Sequence, residues 1–515
     1  MKKNILYVVI AVFLSAAIVS CSDNWLDRSP SDALSRDEVV GGSLRDVFVA
    51  LNGMYNAIQG TSTHNTYYGA RLLYFGDVRG DDMQARAASM RSGPTYLMQY
   101  TLGNAPVIWN VPYMVINRSN NFLNILEKAN ITDASDEILA DMRGQALTAR
   151  ALAHFDLLRV VSKPYTIAGA SGMGVPLIIE LPDPTKPASR STIGEVYAQV
   201  IKDLTEAIDL MLKSRVGVAP YTGNSRGYFN HWSAKALLAR VHLYMGNNAE
   251  AYKVAVDIIN NSGYNLATLS LDIAARYDND GKLITPAKIG QWGTQITPEV
   301  LFEVVNHDMS SWVDRESTGY LMSELGYADY LATKTFLDLM TAEYKDDVRW
   351  GVMLASTGVI TGSWGNNRVW VNKFPGRPDI RVNNIPILRL SEVYLIAAEA
   401  AYKESNSASA AKYLNAIVLR GNPSAVPVAE ADATLDRILQ ERRVEFVGEG
   451  HRFFDLMRNN KTVVRYTNDA DMGWHLALIA ASRSFDVNYF RAILPIPEVE
   501  ISANPNIQSQ QNPGY

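Results

Sequence analysis

Few residues of this 515-residue chain are placed for covalent or acid–base chemistry. Asp77, Asp81 and Asp82 fall together in FGDVRGDDM. Two neighbouring carboxylates could serve glycoside hydrolysis, and a carboxylate cluster could hold calcium. The Asp-x-Asp-x-Asp-Gly spacing of a calcium loop is missing, so the stretch reads as a solvated turn. Ser409 and Lys412 have the Ser-x-x-Lys spacing of an acyl-transfer nucleophile, but they stand in an Ala-rich helical run without its companion motifs. The zinc signature His-Glu-x-x-His does not occur. A catalytic site and a bound cofactor or metal are therefore not expected.

Charged residues on an apolar stripe come next. In TLDRILQERRVEFVGEGHRFFDLMR (434–458), Leu435, Ile438, Leu439 and Phe446 share one helical face. Arg442 falls on that face and Arg443 lies beside it. A guanidinium there must be paired, because desolvating it alone is prohibitive. Glu445, Asp455, Glu392 and Glu399 are the candidate partners. The pair could bind an anion, but a buried charge network tying helices together is the better reading. His451 reads as a packed structural residue.

The only cysteine is Cys21. That excludes an intramolecular disulfide and a Cys-based zinc site. Met1-Lys2-Lys3 is a basic start, and ILYVVIAVFLSAAIVS (5–20) is an apolar run short for a membrane span. Together they read as a secretory signal occupying 1–20. Its end, Ile18-Val19-Ser20-Cys21, resembles a bacterial lipobox, with Ile18 where Leu is usual. This implies cleavage before Cys21 and lipidation of its sulfur, since a thiol is a good nucleophile for alkylation. Several acyl chains, at about 0.8 kcal/mol per buried CH₂, would anchor the chain to a membrane. Residues 21–35 then read as a flexible tether. A net charge of −5, with no basic face, argues against nucleic acid.

The elements that must position any site are mostly helices. Apolar residues recur at i, i+3, i+4 and i+7 over 113–129, 137–161, 193–212 and 231–259. Three runs, 149–159, 234–247 and 391–404, mix Ala with large apolar residues, which permits close helix contact. ALLARVHLYMGNNAEA (236–251) resembles part of a tetratricopeptide repeat. Loop-rich segments at 162–190, 261–330 and 351–386 interrupt the helices, with short β-like runs such as EVLFEVV (299–305). Long loops inside a compact domain are usually functional.

Five stretches, spread in order over nearly the whole chain, resemble the SusD/RagB family of Bacteroidetes. They are CSDNWLDRSP (21–30), VIWNVPYMVINRSNNFLNIL (107–126), IPILRLSEVYLIAAEA (385–400), ERRVEFVGEGHRFFDLMR (441–458) and ILPIPEVEISANPNIQSQQNPGY (493–515). The resemblance implies a mainly α fold of tetratricopeptide-like helix pairs in a superhelical scaffold, with a loop-rich insertion containing short strands. The divisions expected are an N-terminal helical region at 36–260 and a C-terminal region at 261–515, including a ligand-binding segment at 261–386. It further implies a surface-exposed outer-membrane lipoprotein, not an enzyme. Such a protein captures a glycan, or alternatively an oligopeptide, and partners a SusC-like TonB-dependent transporter. The 9 Trp and 26 Tyr favour a glycan, because sugar rings stack on aromatic faces. By its place in the chain, NHDMSSWVDRESTGYLMSELGYADY (306–330) is the expected site. Trp312, Tyr320, Tyr327 and the upstream Trp292 would present rings, with Asp314, Arg315 and Asn306 bonding hydroxyls at their edge.

Overall fold

A computed structural model describes residues 42–515, except 61–65, 107, 129, 184, 215–219, 222–224, 272–275, 278–282, 286–291, 307–315, 324–325, 356–367 and 375–380. Cys21 and the signal segment lie outside the described residues.

The helices that build the scaffold are α1 (Leu44–Gln59), α2 (Arg71–Val78), α3 (Asn110–Lys128), α4 (Asp136–Val161), α5 (Ile193–Leu210), α6 (His231–Met245), α7 (Asn248–Asn261), α8 (Leu390–Lys403), α9 (Ser407–Gly421), α10 (Leu435–Glu445) and α11 (Arg452–Arg458). Their starts are chemically marked. Ser43 with Asp46 and Thr192 with Glu195 form reciprocal capping boxes, and the Asn230 carboxamide accepts from the Trp232 and Ser233 amides. α6 stops at Gly246, whose φ of 80° a residue with a Cβ adopts only at a cost.

Neighbours in this array stack in sequence: α3 on α4, α4 on α5, α5 on α6, α6 on α7, α7 on α8 and α8 on α9. Each pair buries what its members could not bury alone, as in tetratricopeptide arrays. α4 is covered on almost every side, so its polar groups must be satisfied internally. Arg150 meets Asp203 through two bonds of 2.8 Å, and Asp156 accepts from the Tyr68 hydroxyl at 2.8 Å.

Short strands complete the architecture: β1 (Met83–Ala85), upstream of the insertion, and, within or bordering it, β2 (Val300–Val304), β3 (Tyr330–Ala332), β4 (Met353–Ala355), β5 (Val369–Val371) and β6 (Ile385–Arg389). β2 pairs antiparallel with β6, β1 with β3 and β4 with β5, and β3 lies beside β5.

The C-terminal helices are tied to β2 and β6 by a buried ion network. Arg349, Lys373, Arg389, Arg420 and Arg437 face Asp347, Glu299, Glu441, Glu445 and Glu449, which balances the charge. Burial opposes ionisation of Glu445, yet Arg420, Arg389 and Arg349 hold its carboxyl well below the usual range. The arginine helix is part of the same construction. Arg442 donates to Asp455 at 2.7 Å, whereas Glu399 takes Arg458 and Glu392 takes Arg240. The four candidate carboxylates are thus all engaged, but only Asp455 bonds Arg442 directly.

Candidate functional site

The site begins with a turn. β1 and β3 pair with Met83 opposite Ala332 and Ala85 opposite Tyr330, so residues after Ala85 meet those before Tyr330. The Arg86 amide donates to the Asp329 carbonyl at 2.8 Å. The buried Asp329 carboxylate then accepts from the Arg91 amide at 2.8 Å and the Ser92 amide at 3.0 Å. This clamps 86–92 against 326–329. At Gly326 a Cβ would stand 2.1 Å from the Tyr320 carbonyl oxygen, so only glycine lets the chain pass. The Tyr327 amide next donates to that carbonyl at 3.0 Å.

The turn sets two half-buried rings together. Tyr320 and Tyr327 lie perpendicular, with centroids 5.1 Å apart. The Arg91 guanidinium stands 4.1 Å over the Tyr327 ring and donates from Nε to Glu316 at 2.6 Å. Arg91 keeps 38% of its side chain exposed, while Glu316 is buried. The result is a polar-edged aromatic face at the rim of the insertion, suited to sugar C–H faces and hydroxyls.

The structure sorts the expected site residues. Tyr320 and Tyr327 are brought together. Trp312, Asp314 and Arg315 lie outside the described residues, between Asn306 and Glu316. Trp292 is a correction to the expectation of an exposed ring: it is 1% exposed, with Lys373 at 5.0 Å and Arg389 at 5.7 Å from its centroid. Its indole caps the ion network and offers no face to a ligand. Asn306 is also buried; its side-chain amide donates to the Arg381 carbonyl at 3.1 Å and its backbone amide donates to the Asn384 carboxamide oxygen at 3.0 Å.

The catalytic candidates are likewise placed. Asp77, Asp81 and Asp82 are buried, not a solvated turn. Asp81 meets Arg452 at 2.7 Å, Asp82 pairs with Arg443, and Asp77 accepts from the Gly450 amide at 3.0 Å. Burial, with Asp81 beside it, pushes the Asp82 carboxyl up to about 6 against the pull of Arg443. The Ser409 hydroxyl accepts from Tyr252 at 3.1 Å, and Lys412 lies over the Tyr413 ring. GNSRG (223–227) has Gly-x-Ser-x-Gly spacing, and its described part, Ser225–Gly227, is a 3-10 turn. His451 stacks on Phe446 at 4.7 Å, and burial holds its imidazole well below the ordinary range. Among the described residues no cluster of His, Cys, Asp and Glu could hold a metal, and no helix is long and apolar enough to cross a membrane.

A concavity of about 500 Å³ lies between α3, α4 and α5. Its lining includes Arg143, Lys202, Glu127 and Glu206, and the Arg150–Asp203 pair forms part of it. None of its lining residues is aromatic.

Comparison with known proteins agrees with this architecture. A model of the SusD family matches residues 242–515, and one described as starch-binding associating with outer membrane matches 24–243. The chain belongs to the SusD family. A SusD superfamily protein of Bacteroides thetaiotaomicron is 34% identical with a TM-score of 0.79, covering 92% of this chain and 100% of that one. SusD-like protein P38 of Formosa agariphila is 24% identical over 90% of this chain and 92% of its own. Surface glycan-binding protein A of B. thetaiotaomicron, solved with laminarihexaose, is 19% identical with a TM-score of 0.67, covering 92% of this chain and 100% of that one; it shares the fold. The expected mainly helical, tetratricopeptide-like SusD fold is therefore the fold observed.

Arg91, Glu316 and Asp329 were not anticipated by sequence reasoning. No local signal marks them, because the face exists only once β1 and β3 pair.

Proposed function

We propose that this SusD-family member binds an oligosaccharide or polysaccharide at the cell surface and delivers it to a partner TonB-dependent transporter. The observation that carries the reading is the Tyr320–Tyr327 pair, held half-exposed on the insertion beside Arg91. The family description as starch-binding and associating with the outer membrane supports it, as does a glycan held by a relative of the same fold. Binding needs only a shaped, preorganised face, and no acid–base pair is required of the residues around it. Lipidation at Cys21 would hold the protein at the outer membrane. Trp312, Asp314 and Arg315 would extend the face from the neighbouring segment.

The oligopeptide reading has the mixed-charge cleft between α3 and α5 in its favour, since ammonium and carboxylate groups would find partners there. The deciding test is calorimetry with a glycan and with a peptide library, on wild type and Tyr327→Ala. Glycan binding weakened by about 1–3 kcal/mol in the variant, the scale of one aromatic contact, is expected. Peptide binding with no glycan binding would overturn the reading.

A further inference from the structure

Beside the tyrosine face are two cations that have no carboxylate partner among the described residues. Arg86 follows β1 directly, and Arg368 directly precedes β5; β3 lies against both strands. Arg368 is 4% exposed. Among the described residues it makes no ion pair or hydrogen bond through its guanidinium. Among the described residues the Arg86 side chain donates only to the Met90 sulfur at 3.6 Å, and its Nε is buried without a partner. Trp370, two residues on from Arg368, packs with Ala328 and Leu331, which sets this end of β5 against the segment entering β3; burial, with Arg86 second, disfavours charge on Arg368.

Among the described residues, neither neighbouring carboxylate bonds these two arginines. Glu316 is taken by Arg91, and both oxygens of Asp329 are taken by the 91–92 backbone. Elsewhere in this protein buried arginines are matched closely: Arg389 alone meets Glu299, Glu445 and Glu449. A buried guanidinium left unmatched costs folding free energy unless something supplies the anion. Guanidinium forks suit carboxylate and sulfate oxygens, which they bond in pairs.

We propose that the glycan taken at the Tyr320–Tyr327 face is acidic, with an anionic substituent, a uronate carboxylate or a sulfate ester, seated between Arg86 and Arg368. The proposal rests on the reading of that face as a glycan site. The rings would hold the neutral faces of the chain, and the arginine pair would select for charge. Arg91, already committed to Glu316, would keep the Tyr327 ring in place.

The test uses the folded protein on an array of tetragalacturonate, chondroitin sulfate tetrasaccharide, maltohexaose, laminarihexaose and xylohexaose, followed by titration at 50 and 200 mM salt. The uronate and sulfate probes tell the two anion sources apart. Expected is binding confined to an acidic probe, weakened at least tenfold in Arg368→Met and in the more exposed Arg86→Met, with a reduced salt dependence in both. Circular dichroism checks that each variant folds, and Arg86→Met decides alone if Arg368→Met does not. Binding of neutral probes only, lost in Tyr327→Ala but unchanged in Arg86→Met, would overturn the acidic proposal and leave the glycan reading standing. Absence of binding to every probe by folded wild type would overturn both.

Discussion

Arg442→Met tests whether the arginine helix is structural. The Arg442 side chain is 1% exposed and its Nε donates to Asp455 at 2.7 Å. Its Nη1 is buried without a partner among the described residues, and Phe446 lies 5.2 Å from the guanidinium. Asp455 also accepts from Arg458 at 2.7 Å, so removing Arg442 leaves that carboxylate half-compensated. Breaking a buried pair by deleting one partner costs roughly 3–5 kcal/mol. The remaining Arg458 bond and the unpartnered Nη1 place this case at the lower end, about 3 kcal/mol. Net stabilities of folded proteins are about 5–15 kcal/mol, so the loss should be plain in urea unfolding followed by circular dichroism. Arg442→Met with Asp455→Leu removes both charges and should recover part of the loss, because apolar replacement of a whole pair is often nearly neutral. Glycan affinity at saturating folded fraction should be unchanged in both variants. A single variant within about 1 kcal/mol of wild type, or unchanged stability with lost binding, would refute the structural assignment.

Other outcomes follow from named residues. Burial lowers His154 to about 3; its Nδ1 bonds the Arg150 carbonyl at 3.0 Å and its Nε2 accepts from the Ile178 amide at 3.3 Å. Unfolded histidine titrates near 6.5, so only the unfolded chain takes up this proton as pH falls from about 6.5 towards 3, and stability drops by about 1.4 kcal/mol per pH unit. Between pH 7 and 5 wild type should lose about 2 kcal/mol more than His154→Gln in urea melts, and equal losses would contradict this. Cys21→Ser should carry no lipid and leave the outer-membrane fraction; retention there without a transporter present would show that anchoring does not depend on Cys21. Trp312→Ala should weaken glycan binding by about 1–3 kcal/mol in calorimetry without unfolding the protein. Wild-type affinity would remove that ring from the site.

The sequence by itself determined the helical scaffold, because its signals are local. Apolar residues three and four apart mark the buried face of each helix, and the capping residues stand beside the turns they close. Pairing of Arg442 was also legible, since an arginine on an apolar stripe demands a partner whatever the topology. Which carboxylate answered was not, and Asp77, Asp81 and Asp82 show why. Read locally they are a polar turn; folded, they meet Arg443, Arg452 and Gly450 from more than 360 residues away. Trp292 failed in the converse direction. Small and polar neighbours suggested exposure, but Lys373 and Arg389 arrive over its ring from later segments. Tyr320 and Tyr327 were named from the sequence, but the arrangement of the candidate site belongs to tertiary structure. Its parts come from 86–92, 316–329 and Arg368, and only the pairing of β1 with β3, next to β5, gathers them. Strand pairing joins segments with no sequence periodicity in common, so neither the perpendicular setting of the two rings nor the arginines beside them could be read along the chain.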